Sequence, residues 1–277
     1  MPRFKLTLEY AGTRYSGWQI QQNAKTVQGE LARAAREVTG RADFELYGSG
    51  RTDAGVHALA QVAHLDVSTN LPSDTLRVRL NDKLPQDINV LSAEVVPHRF
   101  HARHHAIARR YLYQLAVRRT AFAKPYVWWI KDPLDLVRMG TAAELFLGMK
   151  NFGSFAETGD DEEQGSTKGR STLVLLERLD IAERGDLVLV GIEGSHFLWK
   201  MVRRIVGVLV EVGVGRLDPD VVPELLTRPS DVPARLTAPA SGLFLERVFY
   251  QGEARDLPLE AATPLRPGSK RRADSRS

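Results

Sequence analysis

The residues with the clearest capacity for chemistry lie in YGSGRTDAGVHA (47–58), where Arg51, Thr52 and Asp53 stand together among Gly, Ala and Ser. Small residues let a backbone turn tightly or be approached closely. A carboxylate enclosed by them needs a cation or hydrogen bonds to remain ionised, and an ionised carboxylate can serve as nucleophile or base. An Asp in Thr-Asp-Ala-Gly can also form an Asx turn or cap a short helical turn. Arg51 two residues before Asp53 and His57 four residues after it weigh against that plainer account. Asp53 with His57 would make an acid–base pair suited to a nuclease or phosphodiesterase.

Three further groups are candidates. In ARRYLYQLAV (108–117), Tyr111 and Tyr113 lie two apart on an expected strand and face the same side, available for core packing or for stacking on a displaced base. From Val95 to Lys131 there are eight Lys/Arg and no Asp or Glu, interleaved with Phe100, Tyr111, Tyr113 and Phe122. That one-signed stretch suits a polyanion whose bases stack on aromatic rings, or else a solvated basic face. Arg203 falls on an otherwise apolar helical segment and must reach outward or find a buried anion, for which Asp53 is the obvious choice.

The chain has no cysteine, which excludes disulfides, zinc–thiolate sites and thiol nucleophiles and favours a reducing cytoplasm. The histidines of HRFHARHH (98–105) lie among arginines without a nearby carboxylate, a poor setting for zinc, and read as RNA-facing or solvated. Neither GxxxxGK[ST] nor a strand-linked GxGxxG occurs, so the expected reaction uses no ATP, NAD or metal. Apolar runs such as 206–210 are far shorter than the ~18–20 residues of a membrane span, and the first residues are strand-like, so no signal segment or membrane contact is expected. Net charge is +4, half of it carried by the last 26 residues.

These groups need elements to hold them. Phe4, Leu6, Leu8 and Tyr10 alternate with polar residues, the pattern of a strand with one buried face. Thr26 caps a helix that ends at Gly40. Strands at 44–47 and 61–67 flank the Asp53 motif, a helix runs from Ser73 through Leu80, and a strand covers 88–96. A second set follows: a strand at 108–117, a helix opened by Asp132-Pro133, strands at 172–181 and 187–193, a helix over FLWKMVRRIVGVLVEVG (197–213) and a strand at 242–250. Lys200, Arg203 and Arg204 sit near the start of the 197–213 helix, where the helix dipole disfavours cations, so an anion is expected beside them. Residues 157–171 read as a mobile loop and 251–277 as a disordered tail.

GSGRTDAGVHA (48–58), ARRYLY (108–113), FLWKMVRRIVG (197–207) and APASGLFL (238–245), in this order and spacing, resemble the tRNA pseudouridine synthase A family over residues 3 to about 250. The resemblance implies an α+β fold of two similar halves, residues 1–104 and 105–250, whose antiparallel or mixed sheets join across a basic cleft. It also implies a cytoplasmic homodimer that isomerises uridine to pseudouridine at positions 38, 39 and 40 of the tRNA anticodon stem-loop. Carried over, Asp53 is the essential aspartate and Arg51 lies in the same motif. Tyr111 stacks on the uracil, Arg203 pairs with the aspartate and Leu243 packs beneath the site. Trp199-Lys200 stands where smaller or neutral polar pairs are usual. An RNA nuclease using Asp53 and His57, or a catalytically silent RNA-binding protein, remains an alternative.

Overall fold

The computed structural model describes residues 1–157 and 171–266. Strand β1 (Arg3–Tyr10) buries Phe4, Leu6, Leu8 and Tyr10 as the alternation requires. Helix α1 (Val27–Thr39) begins where the Gly29 N–H donates to Thr26 Oγ1 (3.2 Å) and stops at Gly40, which takes a left-handed conformation. Strands β2 (Glu45–Gly48), β3 (His57–Asp66) and β4 (Ile88–Val96) and helix α2 (Ser73–Lys83) complete the first half. Its core is built from the inward side chains of β1, β3 and β4 and the buried residues Val27, Leu31, Ala34, Leu76 and Leu80 of the two helices.

The second half contains β5 (Ala106–Ala116), β6 (Trp128–Trp129), α3 (Leu136–Phe146), β7 (Gly148–Asn151), β8 (Leu173–Arg184), β9 (Leu187–Gly194), α4 (Met201–Gly213), α5 (Val221–Thr227), α6 (Val232–Arg235) and β10 (Leu243–Tyr250). Helices α3 and α4 bury Met139, Phe146, Ile205 and Leu209 against Tyr113, Leu115, Val190 and Ile192. The fold is thus α+β, with helices covering an extended sheet.

The strands form one sheet in the order β4-β1-β3-β10-β5-β9-β8-β7, with β2 also on β3 and β6 on β5. Its pairings are antiparallel except β3–β10 and β5–β6. The last strand therefore joins the halves. β10 pairs along β5, while it meets β3 only where Phe244 lies opposite His57 and Leu245 opposite Ala58. The Asp53 loop enters β3 at that narrow seam.

Three expectations need correction. The helix after Asp132-Pro133 starts later: the Asp135 side chain accepts the Val137 and Arg138 N–H groups, whereas Asp132 pairs with Arg216. The helix expected over 197–213 is helical only from Met201, because Lys200 takes a left-handed conformation and leaves 197–200 outside the helix. The tail does not become disordered at 251. Leu259, Ala261, Ala262 and Leu265 pack on Leu112, Ala116, Leu189 and Phe244, covering the sheet face opposite α3 and α4, and the Thr263 hydroxyl accepts from Gln114 Nε2 (2.9 Å). Apolar burial along this face, which Ala123, Tyr126 and Val127 cover only in part, orders the segment despite its polar composition. Residues 267–277 of the expected tail and 158–170 of the expected loop lie outside the described residues.

Candidate active site

The Asp53 loop is held by backbone approach. The Trp18 N–H donates to Thr52 O (3.0 Å), the Gly55 N–H to Tyr15 O (3.2 Å) and the Val56 N–H to Asp53 O (3.1 Å). Gly12 and Gly17 make this contact possible: a Cβ on Gly12 would lie 1.9 Å from Val56 O, and one on Gly17 2.5 Å from Thr52 O. Beneath the loop, Thr52 Oγ1 lies 2.8 Å from the Tyr10 hydroxyl, and Ser49 Oγ donates to Gln61 Oε1 (2.7 Å). Thr52 therefore faces inward and anchors the turn, whereas its neighbour Asp53 is only partly buried. Arg51 is exposed.

Asp53 meets Arg203 from α4, 150 positions away, through one contact of 3.5 Å between Oδ2 and Nη1. The two side chains are 21% and 17% exposed, so the pair is largely desolvated without being sealed. Arg203 Nε donates to Ala238 O (2.7 Å), which fixes the guanidinium beside the carboxylate without a two-pronged grip. Burial raises the Asp53 carboxyl above its ordinary value; the charge and hydrogen bond of Arg203, the charge of Lys200 and a hydrogen bond from the Trp199 side chain oppose that rise only in part. The result is a carboxylate more basic than a solvated one, with acceptor capacity to spare.

Tyr111 projects from β5 and packs edge-on against Phe197, ring centroids 5.0 Å apart. Burial, and then the Asp53 charge, push its hydroxyl up to about 12, so it is a neutral aromatic surface at working pH. Leu243 opens β10 opposite Tyr113 and belongs to the apolar cluster that contains Val56, Met201 and Val202. The structure thus brings Asp53 and Arg203 into contact, sets Tyr111 within reach of the Asp53 charge and places Leu243 in the packing under α4.

His57 does not join them. Its Nδ1 accepts the Gly12 N–H (3.0 Å), its Nε2 lies 3.0 Å from Pro125 O, and its ring is stacked on Phe244 at 4.8 Å. Both nitrogens are committed to the backbone, and burial lowers its basicity. The Asp53–His57 acid–base pair that the sequence allowed is not formed.

The basic stretch divides similarly. Arg110 is buried against Glu246 (2.8 Å) and Arg118 pairs with Asp186 (2.5 Å), so these two charges hold the fold together rather than face a ligand. At the start of α4, Glu157 accepts from Lys200 (3.1 Å) and from Arg204, and with Asp53 it supplies the anions that the misplaced cations require.

Sequence reasoning missed Trp199 as a partner of Asp53. It is 47% exposed, with the Lys200 ammonium 5.0 Å above its ring and its carbonyl accepting the Glu157 N–H (3.0 Å). Its adjacency to Lys200 and Arg203 was the available signal. Among the described residues no group of three or more His, Asp or Glu is arranged to hold a metal ion, and no helix is long and apolar enough to cross a membrane.

A family model described as tRNA pseudouridine synthase matches residues 7–105 and 142–251. The tRNA pseudouridine synthase A of Nitrobacter hamburgensis is 41% identical over 253 residues, covering 90% of this chain and all of that protein. That of Rhodopseudomonas palustris is 42% identical over 254 residues, covering 91% of this chain and 100% of the relative. The tRNA pseudouridine synthase A 2 of Clostridium tetani is 37% identical over 251 residues, covering 89% and 98%.

Proposed function

The chain belongs to the tRNA pseudouridine synthase family, and from that premise we propose that it isomerises uridine to pseudouridine in tRNA with Asp53 as the reacting group. The reaction breaks the N1–C1′ bond, turns the uracil and joins C5 to C1′. The C5 proton leaves to solvent and N1 takes one up, so the product is an isomer and no electrons are exchanged. Asp53 acts on the displaced nucleotide at the uracil C6, the ribose C1′ or the C2′ proton. Each route uses a carboxylate that is ionised, weakly held and largely shielded from water.

The observation that carries this reading is the single 3.5 Å contact between Asp53 and Arg203 in a site whose burial raises the carboxyl. Arg203 keeps the group ionised while leaving its oxygens free to react. Tyr111 offers a face to the uracil, Leu243 supports the floor and exposed Arg51 holds the phosphates of the flipped nucleotide. The substrate positions are 38, 39 and 40 of the anticodon stem-loop, and the working form is a cytoplasmic homodimer.

Unmodified tRNA carrying tritium at uracil C5 tests the proposal. The wild type is expected to release tritium without cutting the strand, and Asp53→Asn to lose at least about 10³-fold in turnover while retaining tRNA binding. Strand scission would point to a nuclease, and binding without release to a silent binder. Release by Asp53→Asn at the wild-type rate would remove Asp53 from the mechanism.

A further inference from the structure

A second cluster, tied to the Asp53 motif through Arg109, is left unused by the reaction. Tyr47, 50% exposed on β2, stacks on His64 with centroids 5.4 Å apart and planes inclined by 27°. His101 lies 5.9 Å from Tyr47, meets His64 edge-on at 4.7 Å and approaches His104 at 4.2 Å. Four rings thus form a continuous ladder from the strand to the outer surface.

The ladder is rigid because its imidazoles build the turn that carries them. The Ala102 N–H donates to His64 Nδ1 (3.2 Å), and the Arg103 and His104 N–H groups donate to His101 Nδ1 (3.1 and 3.3 Å). The Tyr250 hydroxyl pins the same turn through Ala102 O (2.7 Å). Burial and neighbouring positive charge hold His64 down to about 4, so its ring is neutral and stacks as an aromatic. These lone pairs are occupied by backbone, which makes the histidines a scaffold rather than a ligand set.

Charge and position then indicate an occupant. Arg99, Arg103 and His104 are exposed along the turn, and no acid lies between Val95 and Lys131. Of the carboxylates on this side, Asp66 is gripped by Arg3, and the charge of exposed Glu45, two residues before Tyr47 on β2, also acts on Arg3. Arg109 links this surface to the Asp53 motif: its Nη2 donates to Arg103 O and to Ser49 O, both at 3.0 Å, so one guanidinium holds the turn and the start of the motif together. Exposed aromatic faces beside unpaired phosphate-binding cations are the means by which proteins hold single-stranded nucleic acid without reading its sequence.

We propose that the Tyr47–His64–His101–His104 ladder, with Arg103 beside it, is a second RNA-contact surface that receives an unstacked base and its phosphate from the tRNA outside the flipped nucleotide. The inference rests on tRNA being the substrate. Rigid rings already in place lose little conformational freedom on binding, and the adjoining Arg103 neutralises the phosphate that accompanies the base.

Fluorescence anisotropy with full-length unmodified tRNA across a salt series tests it, using the whole chain. Tyr47→Ala is expected to weaken Kd about tenfold, with KM rising in step, and Tyr47→Phe to restore it. Arg103→Gln should reduce the magnitude of the log Kd against log salt slope by about 0.7–0.9, a change that a folding defect would not produce. Unchanged Kd and slope overturn the proposal, as does a change confined to self-association in sedimentation, which would assign the ladder to a second copy of the chain. Tritium release by the wild type separates the two readings: release with variants that bind normally sinks the ladder alone, whereas no release with weakened variants sinks the isomerase alone.

Discussion

Asp53 and Asp66 stand at opposite ends of β3, one on the loop that leads into the strand and one as its last residue, and each lies against an arginine. Their carboxylates are held in contrasting ways. Arg3 takes Asp66 in a fork, with Nε on Oδ1 (2.6 Å) and Nη2 on Oδ2, and donates Nη1 to Phe100 O. Burial works to raise the Asp66 carboxyl, yet the bonds and charge of Arg3 outweigh it and hold the group below its ordinary range. At Asp53 the same two opposing effects settle the other way: burial outweighs an arginine that turns its Nε to Ala238 O and reaches the carboxylate with one nitrogen only. Two buried Asp–Arg pairs of the same residue types thus differ in how firmly the carboxylate's charge is held, and the number of donors the arginine commits is part of that difference.

Removing the cation from the Asp53 pair should have the largest effect. Arg203→Met is expected to cost about 10²-fold in turnover with tRNA binding largely kept. Because Arg203 lowers the Asp53 pKa, its loss should also move the acidic limb of the rate profile to higher pH; an unmoved limb would break the comparison. The structural pair should respond in stability instead. Arg3→Met leaves a buried carboxylate unpaired and is expected to destabilise the fold by about 3 kcal/mol, roughly 6–12 °C in Tm.

The pH dependence of that loss carries a sign. A depressed Asp66 contributes stability that is present above its unfolded pKa of about 3.9 and is lost as pH falls through the lower folded value. The gap between wild type and Arg3→Met in urea unfolding should accordingly narrow below about pH 4. The smallest effect belongs to Arg203→Lys, which keeps the charge without the tether to Ala238. Turnover should fall about tenfold or less and the acidic limb should stay in place; a loss as deep as that of Arg203→Met would mean that geometry, not charge, governs Asp53.

Much of the frame was legible because its determinants are local. The alternation of β1, the Thr26 cap and Gly40 stop of α1, and the apolar stripe of α4 each follow from residues within a few turns of one another. Errors arose where distant packing decides a local outcome. Asp132-Pro133 has the chemistry of a helix start, but Asp132 is drawn to Arg216 and Asp135 caps instead. The polar composition of 251–277 suggested disorder, yet the apolar face of β5 and β9 gives Leu259, Ala261, Ala262 and Leu265 somewhere to pack. In the site, Asp53 was conspicuous by its setting of small residues, whereas neither the contribution of Trp199 to its environment nor the left-handed Lys200 that follows is announced by a local pattern.

By itself the sequence determined which groups were available: a carboxylate in a tight small-residue loop, aromatic residues within a basic stretch, and arginines at the start of an apolar helix. Periodicity and turn chemistry act over a few residues, so they also determined where the strands and helices would form. Only the tertiary structure decided the partners. It brought Arg203 across 150 positions to Asp53, turned His57 away to bond Gly12 and the 125 carbonyl, and gave Asp66 the fork that Asp53 lacks. The physical reason is that a carboxylate's reactivity depends on its desolvation and on the number of donors facing it, and both are properties of the packed surroundings.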